Sequence, residues 1–134
     1  MLVFDSGAER EFDVSRHVEK ILTTVADGDI SLACWEPGQI SPFHCHPEAV
    51  EIYLCLEGGG IMLTTGESRQ LGAGQLVIHP PQELHEFSNG PARTILFRVR
   101  YGHDRSARTK QHRGDPGWTM SQRDAEYFGV DQAD

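Results

Sequence analysis

The chain has 134 residues, 38% of them apolar and 24% charged, with a net charge of −8. Its length suits one core of ordinary size, and its acidic balance repels phosphate backbones, so no nucleic acid is expected as a partner. No run approaches the roughly 18 apolar residues of a membrane span, and no basic amphipathic stretch suits a bilayer surface, so no membrane partner is expected either.

Residues 1–28 read as an N-terminal segment whose Phe12, Val14, Val18, Ile21 and Leu22 are spaced too loosely to decide between helix and strand. From Asp29 the punctuation turns regular. Strands are predicted at 30–35, ended by Glu36-Pro37-Gly38, and at 40–46, closed by Pro47. Two more follow at 50–56, ended by Gly58-Gly59-Gly60, and at 61–65, ended by Gly66-Glu67. The next are at 75–79, between Gly74 and Pro80-Pro81, at 85–88, before Asn89-Gly90, and at 94–101. Short strands at this spacing point to one all-β sandwich or barrel over residues 29–101. Residues 102–134 are polar, with Trp118, Tyr127 and Phe128 as their large apolar groups. They read as a C-terminal arm lying over the barrel or over a partner subunit. Within the arm, Ser121-Gln122-Arg123-Asp124 has the form of a capping box and predicts a short helix near 122–128.

Three cysteines, Cys34, Cys45 and Cys55, leave one unpaired in any disulfide scheme. Reduced thiols in a reducing compartment are expected. The sequence Met1-Leu2-Val3-Phe4-Asp5 lacks the basic start and apolar run of a signal peptide. A cytoplasmic location is expected.

Residues two apart on a strand share a face, so His44 and His46 put both imidazoles on one side and Cys45 on the other. Two such imidazoles can converge on a metal. Glu51 opens the returning strand beside them, and His85 heads a later strand after a Pro-bounded turn. Glu48, in the turn, is a rival to Glu51. His79, just before Pro80, reads as a satisfied strand-end histidine, and His17, His103 and His112 read as surface residues.

The spacing supplies what the single residues lack. Gly38, five residues, His44-Cys45-His46, four residues, Glu51, six residues, Gly58 resembles the first motif of the cupin superfamily. Gly74, five residues, Pro80, then His85, three residues, Asn89 resembles the second. The resemblance covers residues 29–101. It implies an all-β fold, a single cupin double-stranded β-helix of jelly-roll type. It also implies one divalent transition metal per chain (Fe, Mn, Ni or Zn) held by His44, His46, Glu51 and His85. The sequence departs from the pattern twice. Gln82 stands where the family usually has Gly, so the turn is expected to avoid a positive φ there. Gln75 stands where an acidic residue is common.

Alternation from Glu51 puts Tyr53 and Cys55 on the metal-facing side and Ile52, Leu54 and Leu56 on the other. Tyr53 is either a proton donor and hydrogen-bond partner for substrate or a core tyrosine. Phe87 shares the parity of His85 and is expected in the pocket wall. Arg98 and Arg100 share one face. If it lines the pocket they would clamp a substrate carboxylate, and otherwise they are solvated or paired with acids. Single-domain cupins are similar in fold yet diverse in reaction. The resemblance implies a metal-dependent enzyme acting on a small oxygenated or anionic molecule, as a dioxygenase or as a non-redox isomerase, cyclase or lyase. The alternative is a small-ligand binding or sensing module. A homodimer is expected, because Ile52, Leu54 and Leu56 need cover from a second chain's sheet or from the arm.

Overall fold

A computed structural model describes residues 1–131. A single turn of helix, α1 (Ser6–Glu9), capped by Asp5, precedes the strands. These are β1 (Val18–Val25), β2 (Gly28–Trp35), β3 (Phe43–Cys45), β4 (Val50–Glu57) and β5 (Gly59–Thr64). Then come β6 (Ser68–Gly72), β7 (Leu76–His79), β8 (His85–Asn89), β9 (Thr94–Tyr101) and β10 (Arg108–Gln111). A second helix, α2 (Gln122–Phe128), follows, with Ser121 as its N-cap and Gly129 in the left-handed conformation at its end.

The strands form two antiparallel five-stranded sheets, in the orders β1-β2-β9-β4-β7 and β10-β3-β8-β5-β6. Alternating side chains meet between them. Ala33, Trp35, Tyr53, Cys55, Met62, Leu71, Phe87 and Leu96 form the interior cluster. It fills one part of the barrel and leaves the rest to polar groups. Phe87 packs edge-on against Trp35 in this cluster. On the outer face of the first sheet, Leu32, Cys34 and Ile95 are covered by Phe12, Val18 and Leu22. Residues 1–28 are therefore knitted to the barrel through an added strand and a small second core.

Several strands lie where the sequence pattern is weak. β1 escapes detection because its pairing with β2 shifts register between Ile21 and Thr23, which breaks the alternation. β6 and β10 are composed mostly of polar residues, Ser68-Arg69-Gln70 and Arg108-Thr109-Lys110-Gln111, and are mostly exposed edge strands. Residues 102–131 do not cover the face of Ile52, Leu54 and Leu56. β10 instead pairs with β3, α2 packs along β10, and Tyr127 reaches Cys45. Residues 132–134 of the arm lie outside the described residues.

Two of the motif positions have plain geometric work. Gly58 has φ +76°, and a Cβ there would lie 2.3 Å from the Arg93 carbonyl oxygen, so the β4–β5 turn admits only glycine. Asn89 donates from one amide nitrogen to the carbonyls of Glu36 (2.8 Å) and Ala92 (2.9 Å), and accepts from the Thr94 hydroxyl.

One expectation is overturned. Gln82 does not avoid the left-handed region but adopts φ 74°. Its N–H donates to the His46 carbonyl at 3.1 Å, and the Glu83 N–H to the Pro80 carbonyl at 3.2 Å. These two bonds hold the turn against the strain of a side chain in that conformation. Gln82→Gly should therefore raise stability by about 0.5–1 kcal/mol, the relieved strain outweighing the added freedom of the unfolded chain. Thermal unfolding would register this as a rise in Tm of roughly 2–4 °C; an unchanged or lower Tm would show that the turn is unstrained.

Candidate metal centre

His44 sits on β3 and His46 just past its end, Glu51 near the start of β4, and His85 at the first position of β8. The register places His44 directly opposite His85 and Glu51 directly opposite His79. All four candidate ligands are buried, and one ligand atom from each lies within 4.8 Å of all the others. Glu48 is exposed in the turn and takes no part.

The three rings are aimed by the backbone. His44 Nδ1 donates to the Pro42 carbonyl (2.8 Å), His46 Nδ1 to that of Arg105 (3.0 Å), and His85 Nδ1 to that of Glu83 (2.9 Å). A carbonyl can only accept, so each proton resides on Nδ1 and each Nε2 presents a lone pair. Glu51 Oε1 lies 2.6 Å from His85 Nε2, and Oε2 lies 3.1 Å from His46 Nε2. Yet His46 Nε2 and Glu51 Oε2 are buried without a hydrogen-bond partner. Acceptors facing one another out of water are unfavourable. A divalent cation among them satisfies all four at once, and the donor set suits a transition metal.

Burial, with His85 beside it, holds the His44 imidazole down to about 3, so it is neutral and able to ligate at neutral pH. Tyr53 lies on the same inner face, 4% exposed. Its phenol is pushed well above its ordinary range by burial and by Glu51, and so keeps its proton.

Arg98 and Arg100 both have internal partners. Arg98 is 2% exposed; its Nη1 lies 2.8 Å from Glu19 and 3.8 Å from Glu51, and its Nε donates to Ser31 at 2.9 Å. Arg100 forks onto Asp29 at 3.0 and 2.8 Å. Both arginines meet acids of this chain, so a free two-arginine clamp for a substrate carboxylate is not what the interior offers. Three histidines read from sequence as bland are also engaged. His17 stacks on Trp35 and contacts Glu19, and His112 reaches the Ile40 carbonyl. His79 is 1% exposed, stacks on His85, and has a buried Nε2 with no partner. It is not a satisfied strand-end residue.

One contributor had no sequence signal. Arg105 acts through its carbonyl, which any residue could supply. Its guanidinium is pinned by Asp29 Oδ2 (3.0 Å) and the Asp27 carbonyl (3.1 Å), which fixes that segment against His46. Burial pushes the Asp29 carboxyl up, but Arg100 and Arg105 outweigh it and keep it low and ionised.

Comparison with known proteins agrees with this geometry. The cupin domain family model matches residues 31–97. The fold is similar to that of a conserved protein with a double-stranded β-helix domain from Klebsiella pneumoniae (TM-score 0.75, 19% identity, covering 81% of this chain and 96% of that one). It is similar to an RmlC-like cupin protein from Desulfovibrio desulfuricans (TM-score 0.68, 19% identity, 75% and 96% covered). It is also similar to the DMSP lyase DddQ from Ruegeria pomeroyi (TM-score 0.66, 25% identity), where the match covers 75% of this chain and 54% of that one. No curated protein sequence matches the chain. Among the described residues, no helix is long and apolar enough to cross a membrane.

Elemental analysis of protein purified without added metal should find close to one ion per chain, and His46→Ala should lose most of it. Unchanged metal in that variant would refute the ligand assignment. Acid should release the ion. His44 is neutral in the fold down to about pH 3, whereas a free imidazole takes up its proton near 6.5. The unfolded chain thus binds more protons throughout that window, and stability falls as pH drops from about 6.5 toward 3.

Proposed function

Because this chain belongs to the cupin family, we propose that it is a metal-dependent enzyme acting on a small oxygenated or anionic organic molecule. One observation carries the reading: four buried donors converge, three of them fixed by backbone carbonyls with their lone pairs inward. One divalent transition ion per chain, Fe, Mn, Ni or Zn, would be held by His44, His46, Glu51 and His85. When bound, it would serve as a Lewis acid toward a chelating oxygen or as a site for O2, giving isomerase, cyclase or lyase chemistry in the first case and dioxygenase chemistry in the second. Likeness to a DMSP lyase at 25% identity supports the lyase branch.

The chain's own residues fit roles around that ion. Tyr53, protonated and on the inner face, serves as hydrogen-bond or proton donor to the substrate. Arg98 is a positioning residue in this reading. It stands 3.8 Å from Glu51 and partly offsets its charge, so that the carboxylate stays ionised and in place. A second reading, a binding or sensing module without turnover, draws support from Arg98 and Arg100 both being committed to internal acids.

Three neutral imidazoles and one carboxylate leave a divalent ion with a surplus of about +1, which favours an anionic oxygen ligand. The overall charge of −8 opposes this only at long range, since salt screens beyond about 8 Å. Calorimetric titration of the metal-loaded protein should therefore show binding of citrate, a 2-keto acid or a catechol, and none of a matched neutral amine. Binding of the amine alone would overturn the reading. Catechol binding with O2 uptake supports the dioxygenase branch, and carboxylate binding without it supports the others.

We also propose a homodimer in a reducing cytoplasm. The free cysteines Cys34, Cys45 and Cys55 are all buried, in keeping with that compartment. The outer face of the first sheet aligns Ile52 with Ile78 and Val99, and Leu54 with Leu76 and Phe97. Leu76 and Ile78 are 58% and 55% exposed, so the β7 edge of this apolar face is left open by the described residues. Light scattering at micromolar concentration should give twice the 15.0 kDa chain mass. Paired Leu76→Glu and Ile78→Glu should give monomer, and a monomeric wild type would rule the dimer out.

A further inference from the structure

His79 is the one buried imidazole beside the candidate ligands that the metal reading leaves unused. It faces Glu51 directly across the β4–β7 pairing, so both side chains enter the barrel side by side. Its ring stacks on that of His85, with centroids 3.8 Å apart and planes 7° from parallel. The two rings are anchored at the same residue. His79 Nδ1 contacts the Glu83 carboxylate at 2.8 Å, and His85 Nδ1 donates to the Glu83 carbonyl at 2.9 Å. Two parallel rings whose Nδ1 atoms both turn to Glu83 must turn their Nε2 atoms away from it. His85 Nε2 goes to Glu51 at 2.6 Å. His79 Nε2, on the side of its ring away from the Glu83 carboxylate, is buried and meets no hydrogen-bond partner.

The protonation pattern gives that atom a specific chemistry. A carboxylate accepts, so the proton lies on His79 Nδ1 and Nε2 is a hydrogen-bond acceptor. His79 does not belong to the cluster of four donors that could share one ion. What the position lacks is a hydrogen on something that occupies the centre.

We propose that His79 Nε2 is a substrate-binding acceptor, which takes a hydrogen bond from a hydroxyl of the molecule held at the metal centre. The ligand class this selects is a hydroxy acid or other hydroxy compound that chelates through one oxygen and keeps a proton on a neighbouring one. A site with a buried acceptor rejects the analogue that cannot donate, because the acceptor is then left unpaired. The inference rests on the metal reading and narrows it from oxygenated molecules in general to those bearing a donor hydroxyl.

Zinc-loaded protein, which performs no redox chemistry, provides the test. Its affinities for glycolate and for methoxyacetate, which lacks the hydroxyl hydrogen, are measured by calorimetry in wild type and in His79→Phe. Phenylalanine keeps a flat ring against His85 and removes the acceptor. The glycolate-to-methoxyacetate preference should fall about tenfold in the variant, the scale of one hydrogen bond, with zinc content still near one per chain. Part of the wild-type preference comes from the weaker ether oxygen on zinc, which is why the change in ratio is what is read. An unchanged ratio overturns the role of His79 alone, as does a zinc-loaded wild type that binds neither probe. A wild type that takes up no zinc overturns the metal reading along with it. Should His79→Phe not fold, Glu83→Ala serves in its place, since that side chain is 37% exposed and its carbonyl remains for His85. Releasing the His79 tautomer should reduce the ratio roughly threefold, and no reduction overturns the proposal.

Discussion

The carboxylate of Glu51, 1% exposed among three imidazoles, is the constraint around which the rest of the barrel is arranged. A buried charge survives only with compensation from fixed partners. A cation among the four donors would supply part of it; within the chain Arg98 stands behind the carboxylate, and Glu19 and Ser31 in turn hold Arg98. The chain of partners runs from the centre through β9 to β1. The residues before Asp29 thus reach the centre's charge balance as well as the sheet.

This division explains how one barrel serves two purposes. The cluster around Trp35, Phe87 and Leu96 closes part of the interior with apolar packing. The remaining space holds polar groups whose directions are set by backbone carbonyls and not by loops of side chains. Pro42 and Glu83 lie one and two residues before β3 and β8, and Arg105 is anchored by its guanidinium on Asp29, so the carbonyls that aim the three rings are each tied to the paired framework. Gln82 shows the cost of that precision. A left-handed φ at a residue with a side chain is maintained because its N–H ties the β7–β8 turn to the His46 carbonyl.

Much of this was legible in the sequence, and what was not has definite causes. His44 and His46 announce themselves because period-two alternation puts them on one face, and the Gly and Pro spacing around them carries Glu51 and His85. Strands of apolar alternation, such as Val50–Glu57 and Thr94–Tyr101, are equally plain. β10 is hidden by its polar composition, and β1 by its bulge. His79 could not be read because its significance depends on register, which sets it opposite Glu51 through a pairing the local pattern does not encode. The contribution of Arg105 is more deeply hidden, since a carbonyl 59 residues from His46 leaves no trace in residue identity.

That carbonyl has a further consequence, for the order in which the molecule is made. All four candidate ligands are synthesised by residue 85, and the strands that position them, β3, β4 and β8, are complete by Asn89. His46 nevertheless has no acceptor for its Nδ1 proton until residue 105 has left the ribosome and its guanidinium has docked on Asp29. Until then the His46 ring is free to choose either tautomer and either orientation. The first sheet is complete by Tyr101, but the centre acquires its fixed geometry only when the segment after β9 folds back. A chain stalled before that point would be a shell with the right ligands and one of them unaimed.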